Sequence, residues 1–168
     1  MKKILIIACS ALFFATSCLL GGGSAGSSAT TYNGSLNVVD ITTNEVTYSN
    51  NAASVTVSIP NITEPKFNFL YNDMKFDNAM PVKLNIELAG IPFKSTVSED
   101  ETTINYVFEA KDVIPTIGGT PYDKYKVDVI EGCIGRTVDI KFEMRSKDKI
   151  VYFTTAPATA TAEDTIEE

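Results

Sequence analysis

Asp73 and Asp77 flank Met74, Lys75 and Phe76. Two nearby carboxyl groups can divide the acid and base roles of a glycoside hydrolase. Nothing in this spacing fixes their separation, so loop carboxylates are the simpler reading. Ser98-Glu99-Asp100-Glu101 gathers three carboxylates, the ligand type that hard calcium ions prefer. It lacks the alternating Asp-x-Asp spacing and the glycine turn of a calcium loop. A solvated hairpin turn between "PFKSTV" and "TTINYVF" is the favoured reading. Cys133 stands in "EGCIG" with Arg136 close behind. A reactive thiol needs a cationic or helix-end environment, and a plain strand-edge cysteine is expected here. The chain has no histidine, so the commonest general base and the commonest metal ligand are both missing. The hydroxyl chemistry left open is that of a Ser–Lys pair, and Lys94-Ser95 has the wrong order and spacing for it. These residues predict no catalytic centre, no metal and no cofactor.

Aromatic residues offer a different chemistry, that of an apolar guest. Phe67, Phe69, Tyr71 and Phe76 follow one another closely. They either line a cavity or pack a core. The loop Ala110–Lys124 is long for a hairpin, with Gly118-Gly119 free to take positive φ and Pro115 and Pro121 stiffening its flanks. It reads as an ordinary connection or as a binding loop.

The elements that must position these groups are strands. "PVKLNIELAG" puts Val82, Leu84, Ile86 and Leu88 on one face. "TVDIKFEMR" does so with Val138, Ile140, Phe142 and Met144, "TINYVFEA" with Ile104, Tyr106 and Phe108, "ASVTVSIP" with Val55, Val57 and Ile59, and "KYKVDVIEG" with Tyr125, Val127 and Val129. Period two over many segments predicts half-buried antiparallel strands. Further strands are expected at 32–39, 45–49, 67–72, 93–97 and 150–155, with turns at "TTNE", "SNNAA", "SEDE", "IGGTP" and "RSKDK". The connections are too short for crossover helices. The fold class is therefore all-β and mostly antiparallel, a barrel or sandwich of about eight to ten strands. An outward-apolar membrane barrel would show the same alternation, but its lumen would have to hold the Lys, Asp and Glu residues. If the interior takes a ligand, the expected lining is Phe67, Phe69, Leu84, Ile86, Tyr106 and Phe108, with Tyr106 supplying a hydroxyl.

The N-terminus gives an address. Met1-Lys2-Lys3 precedes the apolar run Ile4–Ala15, which is shorter than the roughly 20 residues a membrane helix needs. A basic start, a short apolar stretch and small residues describe a signal peptide. "ATSC" resembles the lipobox of bacterial lipoproteins, in the form found in Bacteroidetes. The resemblance implies cleavage after residue 17 and lipid attachment at Cys18. Two or three acyl chains would make a lasting anchor, each buried methylene contributing about 0.8 kcal/mol. Ordinary secretion with cleavage after Ala25 is the alternative. Cys9 leaves with the signal, so only Cys133 of the three cysteines remains free. No internal disulfide is expected.

Residues 18–31 read as the lipidated cysteine and a tether, whose Gly21–Thr31 stretch, rich in glycine and serine, has a mean reach of roughly 15–20 Å. Residues 32–155 form the domain, and 156–168 an acidic, disordered tail. The formal charge of −7 disfavours nucleic acid, whose phosphates demand basic patches. The tripeptide Asp164-Thr165-Ile166 resembles the O-glycosylation acceptor of Bacteroidetes, which would place a glycan on Thr165.

"TYNGSLNVVDI" and "VIEGCIGRTVDIKFEMR" resemble the opening and closing patterns of the calycin-like β-barrel lipoproteins of Bacteroidetes. The likeness runs over 31–153 and implies a lipocalin-like barrel. With the anchor it implies a cell-envelope protein, held on the periplasmic face of the outer membrane. Its partners would be the membrane through the N-terminal lipid, and a small apolar ligand or an envelope protein. The reading is non-enzymatic binding, with a structural or assembly role in an envelope or fimbrial complex as the alternative.

Overall fold

The computed structural model describes residues 28–155, apart from 62, 99 and 100. Ten strands follow one another: β1 (Ser28–Asp40), β2 (Val46–Ile59), β3 (Lys66–Met74), β4 (Leu84–Val97), β5 (Ile104–Val113), β6 (Thr116–Ile117), β7 (Thr120–Pro121), β8 (Val127–Ile134), β9 (Val138–Met144) and β10 (Lys149–Thr154). Each of the eight long strands pairs antiparallel with its sequence neighbour, and β1 pairs with β10. The sheet thus closes on itself as an up-and-down barrel, the architecture the calycin-like resemblance implies. Closure removes the unpaired edges an open sheet would expose.

The seam between β1 and β10 runs from Ser35↔Thr154 to Asp40↔Lys149. An ion pair at 2.8 Å between Lys149 Nζ and Asp40 Oδ2 fixes its last rung. The other oxygen of Asp40 accepts from the Thr42 and Thr43 amides and shapes the β1–β2 turn. These donors, the lysine first, hold the Asp40 carboxyl down at about 2.

Alternation turns the apolar set inward. Val55 and Val57 of β2, Phe69 and Tyr71 of β3, Ile86 and Leu88 of β4, Ile140 and Phe142 of β9, and Val151 and Phe153 of β10 belong to one buried cluster. Apart from the Tyr71 hydroxyl, the buried side chains among the described residues are apolar. The wall's outer surface is polar, for example Ser54–Asn72 across β2 and β3, and Lys141 with Glu131 and Glu143 across β8 and β9. That is the reverse of a membrane barrel's arrangement.

One expected turn and one expected break between strands are strand interiors instead. "SNNAA" lies within β2, where Gly34↔Ala53 is followed by Leu36↔Asn50 and the extra residue is absorbed as a bulge. The segments expected at 82–88 and 93–97 are one strand, β4, bent at Gly90 with φ of 73°. A bulge twists a strand without ending it, so the ten expected segments merge into eight wall strands. β1 begins at Ser28, not at Tyr32: Ser28–Thr31 pair with Ile59–Thr56 and belong to the wall, not to the tether. The remaining tether residues, the signal segment with Cys18, and 156–168 with Thr165 lie outside the described residues.

One end of the barrel carries the start of β1, the end of β10 and the turns after β2, β4 and β8. At the far end Phe76 is buried and stacks on Tyr125 at 5.2 Å, with the Lys147 ammonium 5.0 Å from the same ring. "IGGTP" makes the β6–β7 hairpin, its two glycines at φ of 59° and 79°, as a two-residue primed turn requires.

Candidate functional site

An eight-stranded barrel either fills its interior with side chains or holds one small ligand. Here aromatic rings crowd the middle. Phe67 stacks on Phe93 at 4.0 Å, Phe69 packs on Phe108 at 4.9 Å, and Tyr106 meets Phe93 edge-on at 5.5 Å. Of the expected lining, Phe67, Phe69, Tyr106 and Phe108 therefore meet in one cluster. Leu84 and Ile86 stand further along the same core: Leu84 pairs with Met74, and Ile86 with Tyr71 toward the far end. Two residues expected to face inward are exposed, Val82 at 60% and Ile104 at 51%. Val82 precedes β4, and Ile104 pairs with Val97 where the β4–β5 hairpin runs past the wall.

The concavity that reaches this cluster opens from outside, through a break in the wall. β4 and β5 pair from Val97↔Ile104 to Phe93↔Phe108 and no further. The Phe93 amide donates to the Pro65 carbonyl on the β3 side at 3.0 Å. Backbone groups alternate along a strand, so Pro92 and Lys94 turn theirs toward β5. Lys94 pairs with Val107, but Pro92 has no N–H to donate, and the ladder ends there. Nearer its start, β4 takes β6 as its neighbour, Glu87 opposite Thr116. Glu87 holds that contact by accepting from Thr116 Oγ1 at 3.3 Å and Asn68 Nδ2 at 3.4 Å.

The break forms a groove of about 640 Å³, within the range of small-molecule sites. Phe93, Phe108 and Ala110 are its floor, Pro92 and Val107 its apolar sides, and Lys94, Thr96, Glu109 and Lys111 its rim. Lys94 makes no ion pair among the described residues. Lys111 meets Glu109 at 3.7 Å with both side chains more than half exposed, which holds neither firmly. The site offers an apolar floor and two cations at its mouth. Of these groove residues, the sequence reading named only Phe108 as a lining residue. The signal it did not use was Pro92, since a proline inside an alternating strand marks a place where a ladder stops.

The other sequence candidates hold structural posts. Asp73 pairs with Lys83 at 3.6 Å, while Asp77 accepts from the Ala79 amide within its own turn. Ser98 and Glu101 close a hairpin turn, the Glu101 amide donating to the Ser98 carbonyl. Among the described residues no three His, Cys, Asp or Glu side chains could share a metal ion. The Cys133 thiol is pushed up, first by burial and then by the Asp139 carboxylate, the opposite of activation. Ser146 and Lys149 in the β9–β10 turn do have Ser-x-x-Lys spacing, which the sequence reading passed over. Lys149 is bound to Asp40, and Ser146 Oγ reaches the Lys124 carbonyl at 3.5 Å, so each group is engaged elsewhere. The Tyr32 phenol is raised, first by burial and then by the charge of the Tyr106 phenol.

Comparison of the chain with protein-family models, with curated proteins and with solved structures finds no match.

Proposed function

We propose that the chain is a lipid-anchored cell-envelope protein, of the calycin-like kind known in Bacteroidetes, whose barrel is a non-enzymatic binding module. The observation that carries the binding role is the groove at the β4–β5 break, where a solvent-open mouth leads to the Phe93–Phe108 floor. Its guest is a small apolar ligand or an apolar side chain of an envelope protein. The anchor rests on the signal-like start and on Cys18. Ser28 lies ten positions after Cys18, so the domain sits within about 33 Å of its lipid. The periplasmic face of the outer membrane is the proposed side, because Leu19-Leu20-Gly21 follow the cysteine where surface-displayed lipoproteins resemble one another in carrying acidic residues.

The same break supports a second reading. A wall whose strands diverge can accept an added strand, which is what an assembly accessory would use.

Two measurements test the proposal. Cys18→Ala should move the protein from the membrane to the soluble fraction; a variant still held against high salt and carbonate refutes the lipid anchor. Titration of the full chain with an environment-sensitive apolar probe should saturate, and Val107→Glu at the groove side should abolish the signal with circular dichroism unchanged. Unsaturable binding, or binding indifferent to Val107→Glu, refutes the groove as the site.

A further inference from the structure

We infer that the groove at the β4–β5 break is the docking site of the chain's own C-terminal segment, residues 156–168, with Ile166 on the Phe93–Phe108 floor and the flanking carboxylates on Lys94 and Lys111. The inference uses the groove but does not depend on the lipid anchor.

Reach is the first argument. The barrel registers place Thr154, Asp139, Cys133, Val107 and Lys94 on one continuous rung of the wall. Strands stand about 4.8 Å apart, so the end of β10 lies about 14 Å from Val107 and about 19 Å from Lys94 around the outer surface. The segment after Thr155 has 13 residues and can extend about 43 Å. Its first six, "APATAT", cross β9, β8 and β5 with small side chains, and the rest remain to occupy the groove.

Charge and shape are the second. Lys94, Lys111 and Glu109 stand at the rim, two cations to one carboxylate, and the segment carries "EDTIEE", four carboxylates around one apolar residue. Ile166 is the segment's one large apolar side chain, and the groove's floor is aromatic. The backbone of the break adds a reason for an extended occupant. On β5, residues 109 and 111 share the parity of Val107 and turn their backbone groups toward the gap, where β4 gives them no ladder partner. An extended chain entering the gap can meet them. Covalent connection holds the segment at the millimolar effective concentrations typical of short linkers, so a modest intrinsic affinity is enough.

In this arrangement the segment and an outside guest compete for the same groove. Nuclear magnetic resonance of the full chain tests this, against a chain ending at Thr155 and against Ile166→Asp. Either change should shift the amides of Lys94, Val107 and Ala110 and speed exchange at Glu109 and Lys111 at least tenfold. Val38 of β1, across the barrel, should not move. Lys94→Glu in the full chain should act the same way, and about 0.5 M NaCl should weaken the contact. A peptide of residues 156–168 added to the shortened chain should restore the original shifts. Full-chain spectra in which 163–168 have free-peptide shifts, with the groove amides unchanged on deletion, overturn the inference; so do shifts centred elsewhere on the barrel. The apolar-probe titration separates the two claims. Equal saturable binding with and without the segment overturns the docking and leaves the groove a binding site. Segment-dependent groove shifts with no probe binding to the shortened chain leave the docking and overturn the small-ligand reading.

Discussion

Gly132→Ala should be among the most damaging single-methyl changes in this barrel. Gly132 pairs with Phe108 on one side and Ile140 on the other, and the Phe108 ring lies across it. A methyl there would sit 2.6 Å from Phe108 Cζ and press on the Asp139 carbonyl oxygen of the neighbouring strand. The gains are modest: about 0.8 kcal/mol for a buried methyl and about 0.5–1 kcal/mol from losing glycine's chain entropy. Against them, overpacking of an ordered core costs about 1–3 kcal/mol. A ring can tilt, but the carbonyl belongs to the β8–β9 ladder. Relieving it parts two strands and weakens rungs worth about 1 kcal/mol each, more where a buried group is left unpaired. The expected net loss is about 2 kcal/mol, which for a domain of this size lowers Tm by about 8 °C. Thermal unfolding followed by circular dichroism measures it. Adding Phe108→Leu discriminates the causes, because it removes the ring and leaves the carbonyl. The double variant should recover little. A Tm within about 2 °C of the parent, or full recovery with Phe108→Leu, refutes the backbone argument.

Tyr71 is buried, and its hydroxyl has no hydrogen-bond partner, so Tyr71→Phe should raise stability by about 1 kcal/mol in chemical denaturation. Burial raises the Tyr71 phenol, so the parent's stability should be full below about pH 10 and fall above it, where the unfolded phenol ionises first, by about 1.4 kcal/mol per pH unit; Tyr71→Phe should flatten that limb. Asp40 is depressed to about 2, so the seam's contribution should be present above the ordinary carboxylate range and vanish as pH falls toward 2. Lys149→Ala should return the Asp40 carboxyl toward that range in a carbon-detected titration; an unmoved midpoint would assign the depression to the turn amides alone. Cys133 should react sluggishly with thiol reagents at neutral pH and faster in Asp139→Asn, while reductant should leave Tm within about 2 °C, since the domain holds one cysteine that is unpaired.

Period two in "VKLNIELAG" and "TVDIKFEMR" was enough to assign strands and to tell their inner from their outer faces, because a side chain's face depends only on its parity along the strand. The same local rule settled the all-β class and the apolar interior. It could not say where a wall ends. Val82 and Ile104 keep the inward parity and are exposed, because exposure depends on whether another strand lies opposite. Nor could it separate a bulge from a turn: Asn50–Ala53 and Gly90 carry turn-like residues, and only pairing with β1 and β3 holds them in continuous strands. Ser28–Thr31 look like linker by composition and are strand by virtue of β2, a partner some thirty residues away. The groove is the extreme case. Pro92 announces in the sequence that a donor is missing. That the loss opens the wall to Phe93 and Phe108 follows from which edge of β4 the missing N–H would have faced, and from β6 taking that edge nearer the start of β4. Those are long-range pairings, and parity along one strand carries no information about them.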